Sequence, residues 1–386
     1  MNDINQTLYM KIYETLLEKI KSGELAEGDR IPTENELAEN FQVSRITSRK
    51  ALDIMAENGY IKRTPGKGSF VIFKHETDRQ NENRAFMINQ DKHLIGLVIP
   101  DFSASYAMDL LSGIEKEACI NNCGFTFYRT YGQQDLEEKA IEFLLDMGVD
   151  GIILMPVHGE HYNPKIFKMV LDGYPFVLVD RYLKGIPAPF IGTDNVSAAK
   201  EMTDYLLDMG HKSISFISPP GLDASTIEDR IEGFVRSHNE HGISINEAIW
   251  ITDMSCTVPG KNTCESIQED IEKIKKLIKA NPEITCFFVV EYNMALVVLQ
   301  AINSINMEVP GDFSIVCFDG PVNYVGDYFF THIRQQEEKM GREAVNMLLK
   351  QIEKNDGNER KYIEGKLIAG KSTQKARENI TNITRV

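Results

Sequence analysis

The chain has 386 residues, which predicts two or three domains because a domain averages roughly 150 residues. Apolar residues make up 42% and charged residues 26% of the chain, so most of it can bury a core and long disorder is not expected. If the net charge of −15 were evenly spread, it would argue against nucleic acid as a partner, because a polyanion repels an acidic protein.

Signals for membrane insertion, secretion and metal binding are not found in the sequence. No apolar run approaches the roughly 20 residues of a membrane helix, and residues 1–6 lack the apolar core of a secretory signal. The close histidine pairs, His158 with His161 and His238 with His241, have no third ligand nearby. Four of the six cysteines lie in or beside apolar runs and are expected to be buried: Cys119, Cys123, Cys286 and Cys317. We expect a cytoplasmic protein with reduced cysteines and neither a metal nor a cofactor.

The first 73 residues, here called the head, begin with two predicted helices. Apolar residues recur at every fourth position from Leu8 to Ile20, which predicts an amphipathic helix over residues 7–22. Thr33 and Glu36 have the spacing of a capping box, which predicts a short helix over residues 34–40.

The rest of the head predicts a third helix and a β-hairpin. Ser44 is a favoured N-cap, and the helix after it is expected to run to Asn58. The tight connection between the second and third helices is typical of a helix-turn-helix. Residues 60–63 and 69–73 flank a glycine-rich turn and predict a hairpin. The head is therefore predicted to be a winged helix-turn-helix.

Basic side chains cluster in the second half of the head. Residues 41–73 carry six basic and two acidic side chains, a local charge of +4. The predicted core side of the third helix consists of Ala51, Leu52 and Met55. Four residues near the start of that helix fall on another side, where a recognition helix meets bases and phosphates: Arg45, Ile46, Arg49 and Lys50. The hairpin adds Lys62, Arg63 and Lys67.

Five segments of the head resemble the GntR-family DNA-binding domain: residues 28–38 (GDRIPTENELA), 43–45 (VSR), 51–52 (AL), 59–61 (GYI) and 66–71 (GKGSFV). The resemblance implies that double-stranded operator DNA is a partner. It also implies DNA contacts at Glu34, Arg45, Thr47, Arg49 and the wing tip Gly66, with Ser44, Pro65 and Lys67 beside them. Two positions depart from the family pattern. Asn35 stands where many members of the family have an arginine, so one base or phosphate contact of that arginine is not carried over to this chain. Ser48 stands where the family usually has a branched apolar residue.

The remaining chain predicts a linker and an α/β body. Residues 74–92 are mostly polar or charged and are typical of an exposed linker. From residue 93, short apolar runs alternate with helical stretches, the pattern of βαβ units and parallel sheets. Predicted strands are 94–99, 125–128, 151–155, 176–179, 214–217, 249–251, 286–290 and 315–318, and predicted helices include 136–147, 198–209, 267–279 and 294–305. So many strands predict two lobes of doubly wound parallel sheet.

Polar residues follow several of the predicted strands. In open parallel sheets, ligands bind beyond the carboxyl ends of the strands. The residues that the sequence places there, or in a helix nearby, are Ser103, Ser105, Tyr106, Asp180, Arg181, Arg230, Glu291, Tyr292 and Asp319. Carboxylates, an arginine fork and aromatic faces suit a small polyhydroxylated ligand, because each hydroxyl both donates and accepts a hydrogen bond.

Residues 93–377, the predicted effector-binding and dimerisation domain, resemble the LacI/GalR family, whose body is similar to periplasmic sugar-binding proteins. The resemblance is carried by residues 194–195 (DN), 210–211 (GH), 230–234 (RIEGF), 309–315 (VPGDFSI), 318–319 (FD) and 333–336 (IRQQ). It implies ligand contacts at Asp180, Arg230 and Asp319, with Tyr106 and the neighbouring serines as first-lobe contacts. Glu291 and Tyr292 stand where the family usually has Asn-Asp. Either the ligand has a different hydroxyl pattern, or Glu291 takes the role of the missing amide.

A GntR-type head followed by a LacI-type body resembles the arabinose-responsive repressors of the AraR type. The resemblance implies a homodimeric repressor of carbohydrate-utilisation genes, with L-arabinose or another pentose as the first candidate effector. A sugar-responsive activator is an alternative, because sequence does not give the sign of the coupling. A sugar-binding receptor has no use for a winged head. An enzyme is disfavoured because the body lacks a nucleophile elbow, a glycine-rich phosphate loop and a Cys/His pair at motif spacing.

Overall fold

The computed structural model describes residues 8–22, 24–26, 28–58, 60–64, 68–72, 93–101, 105–157, 163–220, 224–321, 327–354 and 359–377. The chain forms two compact units, residues 1–91 and 92–386. The predicted linker, residues 74–92, lies outside the described residues, so its limits stay a prediction. No helix in the described ranges is long and apolar enough to cross a membrane.

The first unit contains three helices and a small sheet. Its elements are α1 (Leu8–Lys21), β1 (Arg30–Ile31), α2 (Glu34–Phe41), α3 (Arg45–Glu57), β2 (Ile61–Thr64) and β3 (Gly68–Val71). The sheet order is β1-β3-β2, and both pairs are antiparallel. The capping box is present, since Glu36 N donates to Thr33 Oγ1 and Thr33 N donates to the Glu36 carboxylate. The winged helix-turn-helix prediction is confirmed.

A single apolar core joins the helices of the head to its sheet. It includes Ile12 and Ile20 of α1, Leu37 of α2 and Ile61 of β2. The predicted core side of α3 is confirmed, because Ala51, Leu52 and Met55 are all buried. Ser48 is also fully buried, and its hydroxyl lies 3.5 Å from the Ser44 carbonyl oxygen.

The second unit is the α/β body. In chain order it contains β4 (Leu94–Ile99), α4 (Ser105–Ile120), β5 (Gly124–Arg129), α5 (Gln134–Met147), β6 (Gly151–Leu154), α6 (Pro164–Asp172), β7 (Phe176–Val179), β8 (Phe190–Thr193), α7 (Asn195–Asp208), β9 (Ile214–Ile217), α8 (Ser225–Glu240), α9 (Cys264–Ala280), β10 (Cys286–Val289), α10 (Tyr292–Ser304), β11 (Ser314–Phe318), β12 (Thr331–Arg334), α11 (Glu337–Lys354), β13 (Arg360–Ile363) and β14 (Lys366–Ile368).

These elements form two lobes. The first lobe has the strand order β5-β4-β6-β7-β8-β13, and every neighbouring pair is parallel. The second lobe has the order β9-β10-β11-β12-β14, in which only the pairing of β12 with β14 is antiparallel. The predicted fold class, two lobes of doubly wound parallel sheet behind a winged head, is confirmed.

Helices cover both faces of the first sheet, because side chains alternate along each strand. Ile95 and Leu97 of β4 pack on the face covered by α4 and α11, whereas Val98 packs on the face of α5 and α6. Among the described elements the chain passes between the lobes after β8, after β12 and after β13. The second passage contains Gln335 and Gln336.

Most predicted strands and helices lie within three residues of the observed ones. The predicted strand 249–251 is wrong. Residues Glu247–Ile249 form a 3-10 turn capped by the side chain of Asn246, and Ile251 makes only an isolated bridge to Ile217. The prediction that Cys119 is buried is also wrong, because it lies on the exposed side of α4.

Candidate DNA-binding surface and ligand cleft

The start of α3 presents an exposed surface. Ile46 is 80% exposed, and the side chains of Arg45 and Arg49 are 69% and 67% exposed. Ser44 caps the helix by accepting a hydrogen bond from Thr47 N at 3.2 Å, and the two hydroxyl groups lie 2.8 Å apart. Arg45, Ile46 and Arg49 are therefore accessible to base edges and phosphates, while Ser44 and Thr47 hold the first turn of the helix.

An ion-pair network connects this surface to the wing. Glu34 at the start of α2 accepts a hydrogen bond from Arg45 Nε at 3.0 Å and one from Arg63 Nη2 at 2.5 Å. Arg63 also donates to Asp53, which lies 3.9 Å from Arg49 Nε. Burial acts to raise the pKa of Glu34, but the two arginine hydrogen bonds hold it below its usual value. Glu34 is thus placed to orient Arg45, and Arg63 is engaged within the head.

The structure describes one of the other predicted DNA contacts, Lys50. Lys50 places its ammonium group 4.2 Å from the centre of the Tyr9 ring. The wing tip, residues 65–67, lies outside the described residues, so the contacts expected from Pro65, Gly66 and Lys67 stay predictions. A groove of about 440 Å³ lies between the starts of α2 and α3 and the hairpin, and Arg30 and Asn35 line it.

A cavity of about 360 Å³ lies between the two lobes of the body. It is lined by five of the residues predicted from the strand ends: Asp180, Arg181, Arg230, Glu291 and Asp319. Its apolar lining includes Met155, Val157, Ile227 and four prolines, Pro100, Pro219, Pro220 and Pro259. Polar groups that converge in an apolar cleft are typical of a small-molecule site.

Two aspartates occupy matching positions in the two lobes. Asp180 directly follows β7, Asp319 directly follows β11, and each has a φ of 66°. Each backbone N–H still bonds to the neighbouring strand, Asp180 to Ile191 and Asp319 to Ile333, both at 2.9 Å. The left-handed conformation is uncommon for residues other than glycine, and here it recurs at two strand ends that line the cavity.

Arg230 of α8 is held on several sides. Its Nε donates to Asn195 Oδ1 at 2.8 Å, and its Nη1 donates to the Val290 carbonyl oxygen at 2.6 Å. The guanidinium carbon lies 3.8 Å from the centre of the Phe318 ring. Arg230 is 7% exposed, so its charge is held at the cleft by protein contacts.

Arg230→Ala is expected to lower the free energy of unfolding by about 3–5 kcal/mol, because two buried acceptors lose their donor and Asp319 loses a nearby positive charge. Urea unfolding measures the change. Arg236→Ala is the matched control, because Arg236 lies on the same helix and pairs with Glu232 in solvent. The control should cost at most about 0.5 kcal/mol. Equal stability of the two variants would show that Arg230 does not support the fold.

Asp319 is connected to a passage between the lobes. Gln335 Nε2 donates to Asp319 Oδ1 at 2.8 Å, and Gln335 Oε1 accepts from Thr193 Oγ1 at 2.5 Å. Burial raises the pKa of Asp319 to about 6, although Arg230 and Gln335 favour its charged form, and Asp180 raises it further. The sequence placed Gln335 in a family segment but did not predict it as a cleft residue, because its position depends on the passage between the lobes.

Glu291 and Arg181 complete the charged lining. Glu291 precedes α10 and accepts a hydrogen bond from the Thr257 hydroxyl, and burial raises the pKa of its carboxyl. Arg181 Nη1 donates to the Pro156 carbonyl oxygen at 3.2 Å, and its Nε lies 3.2 Å from Asp180 Oδ2.

The structure does not bring every predicted ligand residue to the cleft. Tyr292 does not line the cavity; its ring packs edge-on against Phe330 at 5.6 Å, because it begins α10 on the side of the second-lobe core. Ser103 lies outside the described residues, and Ser105 and Tyr106 begin α4 with side chains that are not described. Polar lining residues that sequence reasoning missed are Asp101, Thr226, Thr257, Asn262, Asn293 and Gln335. Within the described part of the chain, no three His, Cys, Asp or Glu side chains form a potential metal site.

Direct contacts join the two lobes beside the cavity. Tyr182, which follows β7 in the first lobe, donates from its hydroxyl to Asp229 of α8 at 2.8 Å and from its backbone to Ser225 at 3.0 Å. Lys184 Nζ lies 2.5 Å from Glu228 of the same helix. These contacts couple the position of α8, and with it Arg230, to the first lobe.

Each unit contains a region that matches a known family. Residues 8–71 match the family of bacterial regulatory proteins called the gntR family, and residues 203–373 match a periplasmic binding protein-like domain. The chain is 27% identical to an arabinose metabolism transcriptional repressor of Halalkalibacterium halodurans, over 96% of this chain and 98% of that protein. It is 26% identical to a protein of the same name from Geobacillus stearothermophilus, over 89% of this chain and 91% of that protein.

A solved structure shows the same body fold. The LacI family transcriptional regulator of Enterococcus faecium, determined with bound ribose, superposes with a TM-score of 0.61 at 20% identity. The match covers 74% of this chain and 100% of that chain.

Proposed function

We infer that this chain, in which a GntR-family DNA-binding domain precedes a periplasmic-binding-protein-like domain, is a sugar-responsive transcriptional repressor. The proteins named above are transcription regulators, and the prediction that the chain is not an enzyme is confirmed. We further propose that it acts in the cytoplasm as a homodimer, whose two heads bind the two halves of a pseudo-palindromic operator.

The effector that we propose is a small neutral sugar, with L-arabinose or another pentose as the first candidate. The repressors of Halalkalibacterium halodurans and Geobacillus stearothermophilus are named for arabinose metabolism, and the Enterococcus faecium regulator binds ribose. In the cleft, the carboxylates of Asp180 and Asp319 can accept from sugar hydroxyls, while the arginines can donate to them. Glu291 adds an acceptor where the LacI/GalR pattern has an amide.

The observation that carries the switch is the chain of hydrogen bonds from Asp319 through Gln335 to Thr193. A sugar that bonds to Asp319 acts directly on two of the passages between the lobes. Sugar therefore binds with a different free energy to different arrangements of the two lobes. This difference shifts the equilibrium toward the arrangement that binds sugar more tightly.

The full chain tests this proposal in two steps. A thermal-shift screen with L-arabinose, D-xylose, D-ribose and D-galactose should find a sugar that stabilises the folded protein, by about 2.7 kcal/mol at 100 times its Kd. In a mobility-shift assay, that sugar should weaken binding to operator fragments about 5- to 150-fold.

Two outcomes would contradict the repressor mechanism. A sugar that binds without changing DNA affinity would show that the cleft is not coupled to the head. A sugar that strengthens DNA binding would favour the second candidate, a regulator that requires its effector to bind DNA.

A further inference from the structure

A loop of the second lobe covers the ligand cavity. This loop, residues 253–263 and here called the roof loop, joins the 3-10 turn to α9. Five of its residues line the cavity: Cys256, Thr257, Val258, Pro259 and Asn262. It contributes more of the cavity lining than any one strand end, so its conformation affects the shape of the site directly.

The roof loop also reaches the first lobe. A Cβ atom placed on Gly132, in the loop after β5, would lie 3.1 Å from Pro259 Cβ, so Pro259 packs beside Gly132 where a larger residue would be crowded. On the inner side, the hydroxyl of Thr257 donates to Glu291. The loop therefore lines the cavity and has packing or hydrogen-bond partners in both lobes.

A buried carboxylate of α9 fixes the beginning of this loop. Asp270 is 1% exposed, and its Oδ2 accepts from Ser255 N at 2.7 Å and from Cys256 N at 2.8 Å. Lys273, three residues later on the same helix, lies 3.1 Å from Asp270 Oδ1 and donates to the Asp253 carbonyl oxygen at 2.8 Å. Together the two side chains hold the backbone of residues 253–256.

We propose that Asp270 is a positioning residue for effector binding: it holds the roof loop over the cleft and so sets sugar affinity without touching the sugar. The two amides that it binds immediately precede Thr257, the residue that reaches Glu291. Without this acceptor, two backbone donors at the start of the loop lose their partner, and another loop conformation that solvates them becomes favourable. The inference rests on the proposed function, since it requires that the cleft binds a sugar.

Asp270→Ala and Asp270→Asn separate positioning from general support of the fold. Asparagine keeps an oxygen that can accept from both amides, whereas alanine removes it. Isothermal titration with L-arabinose and D-ribose should show affinity about tenfold lower for Asp270→Ala and within about threefold of wild type for Asp270→Asn. Hydrogen exchange at the amides of residues 255–258 should be faster in the sugar-free alanine variant only.

Asp150→Ala is the matched control. Asp150 also accepts from a backbone amide, Leu94 N at 2.6 Å, but it lies at the amino end of the first sheet, away from the cleft. The control should leave sugar affinity and exchange of the roof loop unchanged.

The outcomes distinguish this inference from the proposed function. If wild type binds sugar and Asp270→Ala binds it equally well while its roof loop exchanges faster, the positioning role is wrong and the proposed function stands. Equal losses of sugar affinity in Asp270→Ala and Asp150→Ala would overturn the role as well, because they indicate general destabilisation. If wild type binds none of the four sugars of the screen, both proposals fail.

Discussion

Arg45→Ala is expected to lower the affinity of each head for its operator half-site about 10- to 100-fold, the loss typical of an arginine that bonds to a base edge. In a dimer both half-sites are affected, so specific binding should fall below detection in a mobility-shift assay. The physical reason is that Arg45 is 69% exposed at the start of α3, yet Glu34 fixes the direction of its guanidinium. An operator for the assay can be selected from random DNA with the wild-type chain.

Three comparisons give this prediction its control. Arg45→Lys keeps the positive charge but loses the planar guanidinium fork. Its affinity for the operator should therefore be as low as that of Arg45→Ala, while its affinity for random DNA should equal that of wild type. The slope of log affinity against log salt should change little if Arg45 contacts a base, and by about one if it contacts a phosphate. Sugar binding should be unchanged. An operator affinity of Arg45→Ala equal to that of wild type would show that α3 is not the recognition helix.

Local signals in the sequence predicted the head more accurately than the body. A capping box and an N-cap define the starts of α2 and α3. Their hydrogen bonds join residues less than four positions apart, so a short stretch of sequence is enough to predict them. Strands β8, β12, β13 and β14 were not predicted, because an internal glycine in β8 and charged or polar residues in the other three interrupt the apolar pattern. Parallel pairing between distant segments leaves little periodicity in such short runs.

The same distinction separates the cleft residues that were predicted from those that were not. Asp180 and Asp319 follow apolar strands, so their position at the sheet edge follows from the strand. Gln335 and Thr257 reach the cavity through a passage between the lobes and through the roof loop, which no local pattern marks. Tyr292 adjoins a cleft residue in sequence, but at the start of α10 its side chain packs against the core of the second lobe.

Asp319→Asn is expected to make the protein more stable and less responsive to sugar. Burial raises the pKa of Asp319 from its ordinary value of 3.8 to about 6, so the folded state holds its proton more tightly than the unfolded state. Below about pH 3 both states are protonated and the carboxyl costs nothing. Between pH 4 and 6 only the unfolded state ionises, and stability falls by up to about 3 kcal/mol before it levels off above pH 6.

Asparagine removes this cost but retains an oxygen that can accept from Gln335. Urea unfolding at pH 7 should therefore give Asp319→Asn a free energy of unfolding up to about 3 kcal/mol higher than wild type, and the difference should vanish below about pH 3. Glu337, whose pKa burial and the charge of Asp319 raise to about 8, also titrates near neutral pH. Both proteins contain Glu337, so comparing their free energies of unfolding at each pH reduces its contribution to the difference. If that difference is constant from pH 4 to 7, the pH dependence of stability does not come from Asp319.

Sugar binding should change in the opposite direction. A charged carboxylate accepts hydroxyl hydrogen bonds more strongly than an amide does, so Asp319→Asn should weaken binding of the effector sugar about 10- to 100-fold. Wild-type affinity should fall below pH 6 as Asp319 gains its proton, whereas the affinity of the variant should fall less, because Glu291 is then the cleft carboxyl with a raised pKa. Asp312→Asn removes the same charge from the loop before β11 and should bind sugar as wild type does. If Asp319→Asn has a higher free energy of unfolding and a lower sugar affinity than wild type, the carboxylate of Asp319 favours sugar binding but lowers the stability of the fold.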